Sequence, residues 1–424
     1  MKLMLSLVYK SLFNRRITAL MIICSIAVSV ALLLGVEKIR HGAKESFSST
    51  IAGTDLIVGA RSGSVQLLLY SVFRIGNATN NVSWQSYQDI ASNPNVAWSI
   101  PLSLGDSHKG YRVLGTNKTY FEHYRYGKKR PLIFKEEQFQ DGQPFEQLHD
   151  VILGSEVANK LKYQLGDQVV IAHGMGNTSF SKHKDQPFTV TGILAPTGTP
   201  VDNTLHVSLQ AIEAIHVDWK AGVYIPGSGG KAPITERELQ PQQITAFLLG
   251  LKSKMATFQL QRYISNYRDE PLQAVLPGVA LQELWGMIGI AESALFLISI
   301  FVVISGLFTM LTVLLTGLNE RRRELAILRS VGARPFQIML LLVLETALLT
   351  FLGIIFGMVL LYSGLALGLP LLEQAYGLQL TLELPQLAEV KLLLLILIAG
   401  TLTGLIPGYR AYRYSLADGM TVRI

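Results

Sequence analysis

The sequence predicts an α-helical membrane protein with four transmembrane helices (1 + 3) and a large α+β domain between the first helix and the second. Two observations lead to this fold class. The 424-residue chain contains four long apolar runs, and soluble composition over roughly 250 residues separates the first run from the others. A helix that crosses a bilayer needs about 20 apolar residues. The predicted spans are 17–36, 287–318, 338–369 and 391–408.

Acidic residues are rare inside these runs. The first run has none, and the second contains Glu292, which we place at its outer interface. Glu345 lies inside the third run, where a charge is costly and is a functional candidate by default. The alternative is that Glu345 faces a polar bundle interior and hydrogen-bonds a neighbour. The sequence leaves both interpretations open.

The net charge is +7, and the positions of the charged residues indicate the membrane topology. Lys and Arg residues lie before the first run, between the second and third, and after the fourth, whereas the 370–390 loop is mainly acidic. Because Lys and Arg collect on the cytoplasmic side, segments 1–16, 319–337 and 409–424 are predicted to be cytoplasmic. The domain over 37–286 then lies on the outer side of the membrane. This distribution argues against nucleic-acid binding.

The predicted external domain mixes helices and strands. A helix, a turn at Asn93–Asn95 and a strand are expected over 82–101, and strand, helix and strand over 151–172 with the helix at Ser155–Leu161. Further strands are expected at 111–115, 188–194, 204–209 and 244–251, a helix at 255–267, and a flexible Gly/Pro-rich loop at 220–242. Cys24, the sole cysteine, lies in the first span, so the domain has no disulfide.

Two helices are predicted to extend beyond the membrane as stalks. A helix over 287–318 would be about 48 Å long, against a hydrocarbon core of about 30 Å. Apolar residues also continue at helical spacing after the first run, at Ile39, Ala43, Phe47 and Ile51. Motion could pass between the membrane and the external domain through these stalks.

No sequence motif indicates an enzyme active site or a cofactor. The chain lacks the G-x-x-x-x-G-K-[ST], H-E-x-x-H, C-x-x-C and G-x-S-x-G patterns. All eight histidines fall in the predicted external domain, and no two are three or four residues apart. Zinc binding is one interpretation of these histidines, and exclusion of histidine from membrane spans is the more economical one.

Small residues predict close helix packing in the spans. For the third and fourth spans, packing within the chain is the favoured interpretation, and for the first a contact in a dimer is also open. The residues are Ser25, Ser29, Gly353, Gly357, Gly400 and Gly404.

The cytoplasmic segment 319–337 carries the sharpest pattern. Leu325, Leu328 and Val331 share one face of a helix, and arginines occupy other positions. Gly332 ends this helix and Pro335 begins the next. Taken alone, the segment also fits a basic amphipathic loop resting on anionic lipid.

Residues Glu320–Ala333 resemble the pattern E-R-R-x-E-[IL]-A-[IL]-L-R-A-[IL]-G-A of the FtsX-like permease family of ABC transporters, which includes MacB, LolC and LolE. Residues Val151–Ser155, Leu165–Asp167 and Phe188–Leu194 resemble the MacB-type periplasmic domain. The tail Ser415–Met420 departs from the family pattern.

The resemblance implies a permease subunit of a mechanotransmission-type ABC transporter with no ATPase activity of its own. ATP would bind a separate ABC ATPase subunit, and the permease would pair with a second copy or a paralogue in the membrane lipid. Export or extraction of a lipoprotein, peptide or small hydrophobic compound is implied, and the involvement of a periplasmic or outer-membrane partner is left open. The residues implied in ATPase coupling are Glu320, Arg321, Arg322, Glu324, Leu325, Leu328, Arg329 and Gly332.

Two alternatives remain open at this point. The first is an FtsX-like regulator of a periplasmic cell-wall hydrolase, although the external domain is larger than that role generally uses. The second is a membrane-anchored sensor without an ATPase, against which the cytoplasmic pattern argues.

Overall fold

Four long apolar helices dominate the helical part of the chain. The computed structural model describes residues 13, 15–135, 144–173, 186–216, 219–220, 223–224, 239–376 and 384–413. The α-helices are α1 (Arg16–Ser49), α2 (Ser64–Ser71), α3 (Trp84–Ala91), α4 (Lys118–His123), α5 (Ser155–Leu161), α6 (Leu209–His216), α7 (Thr257–Ser265), α8 (Pro277–Glu320), α9 (Arg322–Ser330), α10 (Pro335–Tyr376), α11 (Leu387–Thr403) and α12 (Leu405–Arg413). Single turns of 3₁₀-helix lie at Pro200–Asn203 and Lys254–Ala256.

Four helical segments are long and apolar enough to cross a membrane. They are Arg16–Gly42, Pro277–Leu318, Pro335–Gly368 and Leu387–Arg413. The fourth is interrupted at Gly404, between α11 and α12. The second helix, α8, is 44 residues long and begins ten residues before the predicted span at 287. The chain divides into two units, a helical unit and an α+β domain.

The α+β domain comprises residues 43–288 with 372–379, and is built on one large mixed sheet. Its strands are β1 (Leu56–Ala60), β2 (Val82–Ser83), β3 (Val96–His108), β4 (Tyr111–Thr116), β5 (Arg125–Tyr126), β6 (Arg130–Pro131), β7 (Asp150–Leu153), β8 (Gln168–Val169), β9 (Ala172–His173), β10 (Phe188–Ile193), β11 (Thr204–Ser208), β12 (Trp219–Lys220), β13 (Val223–Tyr224), β14 (Gln243–Ile244), β15 (Ala246–Leu251) and β16 (Leu272–Val275).

The long strand β3 connects the two halves of this sheet. The strand order is β16-β1-β15-β3-β4-β11-β7-β10-β8, with β9 also paired to β3. Residues 96–102 of β3 pair with β15, and residues 103–108 pair with β4. The pairs β4/β11 and β7/β10 are parallel, and the others along this path are antiparallel. Each half therefore carries its own helices, α3 and α7 on one and α5 and α6 on the other.

Buried aliphatic side chains fill both halves of the domain. One cluster packs β1, β15 and β16 against α3 and α7 through residues such as Val58, Ile90 and Ile264. Another packs β7, β10 and β11 against α5 and α6. Strand β1 is buried at all five positions. Because a strand buried on both faces has apolar residues in a continuous run rather than at alternate positions, this burial explains the sequence Leu56–Ala60.

Candidate functional site

The short helix α9 lies between the second and third long helices, where the sequence predicts a cytoplasmic coupling segment. The chain turns at Arg321, directly after α8, and α9 follows from Arg322 to Ser330. Gly332 adopts a φ of +100°, a conformation that side chains other than glycine rarely take. The backbone N–H of Ala333 then donates to the Leu328 carbonyl at 3.0 Å, which closes the helix end before α10 begins at Pro335.

One face of α9 packs against the protein's own long helices. Leu325 and Ala326 are buried, and Leu328 is half-buried. A cluster joins Leu325 and Leu328 to side chains from the end of α8, the start of α10 and α12: Leu318, Ile338, Leu342 and Ala411. Leu325 and Leu328 are among the residues that the sequence predicts to couple to the ATPase. In the structure, the face that carries them packs inside the helical unit.

A buried ion pair ties the start of α9 to the third long helix. The Arg321 guanidinium Nη1 donates to Glu345 Oε2 at 2.8 Å, and the two side chains are 6% and 5% exposed. Glu324 lies 3.8 Å from the same guanidinium. The intramembrane acid of the sequence analysis therefore has a cation partner 24 residues away in the chain, and Arg321 points inward.

The opposite face of α9 is open and mixes apolar with charged side chains. Arg322, Arg323 and Glu324 are exposed. Large apolar side chains accompany them: Ile327 is 55% exposed, Val331 82% and Phe336, at the start of α10, 58%. Val331 was predicted from the sequence to share a helix face with Leu325 and Leu328, whereas Ile327 and Phe336 were not. Only the observed packing of Leu325 and Leu328 identifies them as the outer apolar residues.

Arg329 and Glu320 complete the predicted coupling set. Arg329 Nη2 donates to the backbone carbonyl of Tyr412 at 3.2 Å, which links α9 to α12. Glu320 is the last residue of α8, and its side chain lies outside the described part of the structure. The structure thus brings Arg321, Leu325, Leu328 and Arg329 against neighbouring helices.

The small residues of the spans all lie at helix crossings within this chain. Ser29 Oγ donates to the Ser25 and Val302 carbonyls at 2.9 and 3.2 Å. A Cβ added at Gly353 or Gly357 would lie 2.7–2.8 Å from atoms of α1. A Cβ at Gly404 would lie 2.1 Å from the Thr346 hydroxyl, and one at Gly400 would lie 2.3 Å from the Thr350 hydroxyl. The structure therefore places Ser29 against the second helix of the same chain.

Two histidines of the α+β domain have shifted pKa values. Complete burial, with a further contribution from the Arg74 charge, lowers the pKa of His206 to about 3. Burial alone would lower the pKa of His216 too, but the hydrogen bond and charge of Asp106 outweigh burial and raise it. Among the described residues, no three His, Cys, Asp or Glu side chains are grouped so as to hold a metal ion.

Comparison with known sequences gives two family matches that together cover most of the chain. The profile of the MacB-like periplasmic core domain matches residues 17–263, which is more than half of the chain. The chain belongs to the MacB/FtsX family of ABC transporter permeases. The profile of the FtsX-like permease C-terminal region matches residues 296–416. The family resemblance of the sequence analysis is thereby confirmed. No curated protein matches the chain.

Solved structures of two periplasmic or extracellular domains are similar to the MacB-like part. The crystal structure of the periplasmic region of MacB from Actinobacillus actinomycetemcomitans has 11% identity and a TM-score of 0.32, covering 55% of this chain and 94% of that one. The extracellular domain of the ABC-type transporter YknZ from Gram-positive bacteria has 11% identity and a TM-score of 0.29, covering 52% of this chain and 99% of that one.

The two family matches correspond broadly to the two units of the chain. The α+β domain is the MacB-like periplasmic core domain, and the last three long helices with α9 form the FtsX-like part. Permease subunits of this family have no ATPase activity of their own.

Proposed function

We propose that this chain is the permease subunit of a mechanotransmission-type ABC transporter, in which a separate ATPase subunit acts on α9. The observation that carries the proposal is the two-faced packing of α9. Its inner face is fixed by the Arg321–Glu345 pair and by the Leu325 cluster. Its outer face leaves Ile327 and Val331 exposed among charged side chains.

The outer face of α9 has the composition of a protein-binding surface. Binding energy at interfaces is concentrated in a few buried anchors, and the surrounding charges mainly set encounter and register. Ile327 and Val331 are the proposed anchors, and Arg322, Arg323 and Glu324 form the charged rim. This assignment replaces Leu325 and Leu328, because those side chains are already engaged with α10 and α12.

The inner face of α9 supports the transmission of force. A push on α9 reaches the third long helix directly through the 2.8 Å contact between Arg321 and Glu345, and the Leu325 cluster adds apolar contacts to α10 and α12. Closely packed side chains have low compressibility and transmit strain. We therefore propose that α9 and the cytoplasmic ends of α10 and α12 move as one body.

On the periplasmic side, we propose that α1 and α8 act as stalks. Each is one unbroken helix, Arg16–Ser49 and Pro277–Glu320, that continues past the apolar run predicted as a span. The cycle would change the conformation of the MacB-like domain and expel or extract a lipoprotein, peptide or small hydrophobic compound. A second permease copy or paralogue would complete the membrane part, in the inner membrane with the α+β domain in the periplasm.

Substitution of Ile327 tests the coupling. The full chain is coexpressed with ABC ATPase subunits of its source genome, and copurification and ATP hydrolysis are measured. Burying an Ile side chain stabilises by about 1.5–3 kcal/mol, so Ile327→Asp is expected to weaken ATPase binding at least tenfold. Ile133→Asp is the matched control, since Ile133 is 57% exposed and lies in the α+β domain.

The two variants separate ATPase docking from a general effect of the charge. Loss of ATPase with Ile327→Asp and retention with Ile133→Asp supports the proposal. If Ile327→Asp retains its ATPase and the normal rate of ATP hydrolysis, the outer face of α9 does not bind the ATPase and the proposal fails.

A further inference from the structure

A second set of charges lies at the other end of the long helices, directly after the uncharged run of α1. Lys38 Nζ lies 3.5 Å from Glu389 Oε2, and the two side chains are 13% and 6% exposed. Lys38 also lies over the Tyr362 ring, 5.5 Å from its centroid. Residues of α1, α10 and α11 thus meet around one cation.

Arg40 connects α1 to another long helix. Its Nε lies 3.4 Å from Glu292 Oε2, on α8. Two residues along a helix are about 200° apart around its axis, so Lys38 and Arg40 point to different neighbours. The end of α1 is therefore tied by charge to α8 on one side and to α11 on the other. We call the Lys38–Glu389 and Arg40–Glu292 pairs the outer pairs.

The outer pairs are longer than a strong charge-assisted hydrogen bond, which is about 2.7–2.9 Å. At 3.5 and 3.4 Å they contrast with the 2.8 Å contact of Arg321 and Glu345 at the far end of the same helices. The outer contacts are therefore the weaker of the two charged connections in this unit.

Three charges of the outer pairs have a second partner to keep after separation. Glu389 accepts from the Gln386 backbone N–H at 3.1 Å and caps the start of α11, where a helix favours negative charge. Arg40 Nη1 donates to Glu37 Oε2, also at 3.1 Å. Lys38 keeps the Tyr362 ring, and its long side chain can extend to water. Each of these three charges would therefore keep one polar or aromatic partner after the outer pairs separate.

The Arg321–Glu345 pair is placed differently. Glu345 and Glu389 are equally buried, at 3% and 4% exposed. Glu389 keeps the Gln386 N–H at the start of its helix, whereas Glu345 lies ten residues inside α10, so losing Arg321 would leave a carboxylate in apolar surroundings, which is costly. The two ends of the helical unit thus differ in how easily their charges part.

We propose that the outer pairs are a releasable latch, which holds the end of α1 against α8 and α11 and parts during each transport cycle while the Arg321–Glu345 end stays closed. This inference rests on the proposed function, because ATP hydrolysis by the partner subunit supplies the work. It assigns Lys38, Arg40, Glu292 and Glu389 a positioning role.

Distances between spin labels at the two ends test the latch. In a Cys24→Ser background, labels at residues 39 and 390 report on the outer end of α1 and α11. Labels at residues 17 and 409 report on the inner end of α1 and α12. All four natural side chains, Ile39, Val390, Ile17 and Tyr409, are exposed. In the complex with its ATPase, the 39–390 distance is expected to change between the nucleotide-free and ATP-bound states, and the 17–409 distance to stay constant.

Variants of the full chain alone test the attraction without the ATPase. Lys38→Met is expected to raise the ratio of separated to closed 39–390 conformers about fivefold, the factor that corresponds to a pair worth about 1 kcal/mol. Glu389→Gln keeps an oxygen acceptor for the Gln386 N–H and is expected to raise the ratio by a similar factor. An unchanged ratio in Lys38→Met or in Glu389→Gln overturns the latch.

The latch and the proposed function fail in different ways. If no ATPase binds, the proposed function is refuted, and the latch loses its energy source with it. If the ATPase binds and hydrolyses ATP while the 39–390 distance is the same in every nucleotide state, the latch alone is refuted.

Discussion

Replacing Glu345 by leucine is expected to destabilise the helical unit more than replacing Glu345 and Arg321 together. The two side chains are almost fully buried and joined at 2.8 Å. Leucine at position 345 removes the carboxylate and leaves the guanidinium buried, with Glu324 3.8 Å away. Removing one member of a buried pair costs about 3–5 kcal/mol, whereas exchanging both members for apolar residues is often neutral.

The same structure ranks three variants. Glu345→Leu is expected to cost about 3–5 kcal/mol. Glu345→Gln keeps an oxygen acceptor for the Arg321 N–H groups, so its cost is expected to be lower, at about 1–3 kcal/mol. The double variant Arg321→Met/Glu345→Leu is expected to fall within about 1 kcal/mol of the natural protein. With the single variant Arg321→Met included, the double-mutant cycle is expected to give a coupling energy above about 2 kcal/mol in magnitude.

Unfolding of the full chain by sodium dodecyl sulfate in mixed micelles, followed by circular dichroism, measures these differences. Copurification of the ATPase with each variant shows whether α9 still presents its outer face. Additive effects in the double variant would mean that the two charges do not stabilise one another. A Glu345→Leu variant as stable as the natural protein would likewise refute the reasoning.

Two further predictions follow from packing and titration. Gly404→Ala places a methyl group 2.1 Å from the Thr346 hydroxyl and is expected to cost about 1–3 kcal/mol in the same unfolding assay. Gly364→Ala, which meets no atom within 4 Å, should be neutral, and adding Thr346→Ala should relieve Gly404→Ala. Because the pKa of His206 is about 3 when folded and about 6.5 when unfolded, only the unfolded chain gains this proton between those values. The free energy of unfolding should therefore decrease as the pH is lowered, and His206 should account for a loss of about 2 kcal/mol between pH 8 and pH 5. Denaturation of His206→Phe at these two pH values should lack that loss.

Local pattern predicted the elements whose signals lie in a few neighbouring residues. The helix Ser155–Leu161 has the predicted bounds, and strands begin at Tyr111, Phe188 and Thr204 as expected. The strand predicted after the turn at Asn93–Asn95 is longer than expected, because it pairs with β15 and then with β4. Such pairing depends on residues far away in the chain, which a local pattern does not contain.

Other elements have no local signal that separates helix from strand. Strand β1 is buried at every position, and a short continuous apolar run fits either structure. The same holds for the apolar helix α2 that follows. The predicted flexible loop over 220–242 and the tail after residue 413 lie largely or wholly outside the described residues.

The candidate site was predictable as a segment but not as a surface. The sequence places an amphipathic helix between two spans, and a lone intramembrane carboxylate calls for a cation at the end of a neighbouring span. Five arginines lie in that segment, and spacing alone does not choose among them. The observed pair selects Arg321, which turns at the junction of α8 and α9 and so points back toward the third helix.

The apolar stripe of an amphipathic helix shows that a face is buried, but not what buries it. For α9, the stripe of Leu325 and Leu328 is covered by α10 and α12, so that stripe fixes the helix to the permease. What remains for a partner is the apolar surface left over after this packing, at Ile327 and Val331. In the proposed function, one face of α9 packs on the permease and the opposite face binds the ATPase. A coupling element needs this arrangement, because a helix that moved independently of the third span would transmit no force to it.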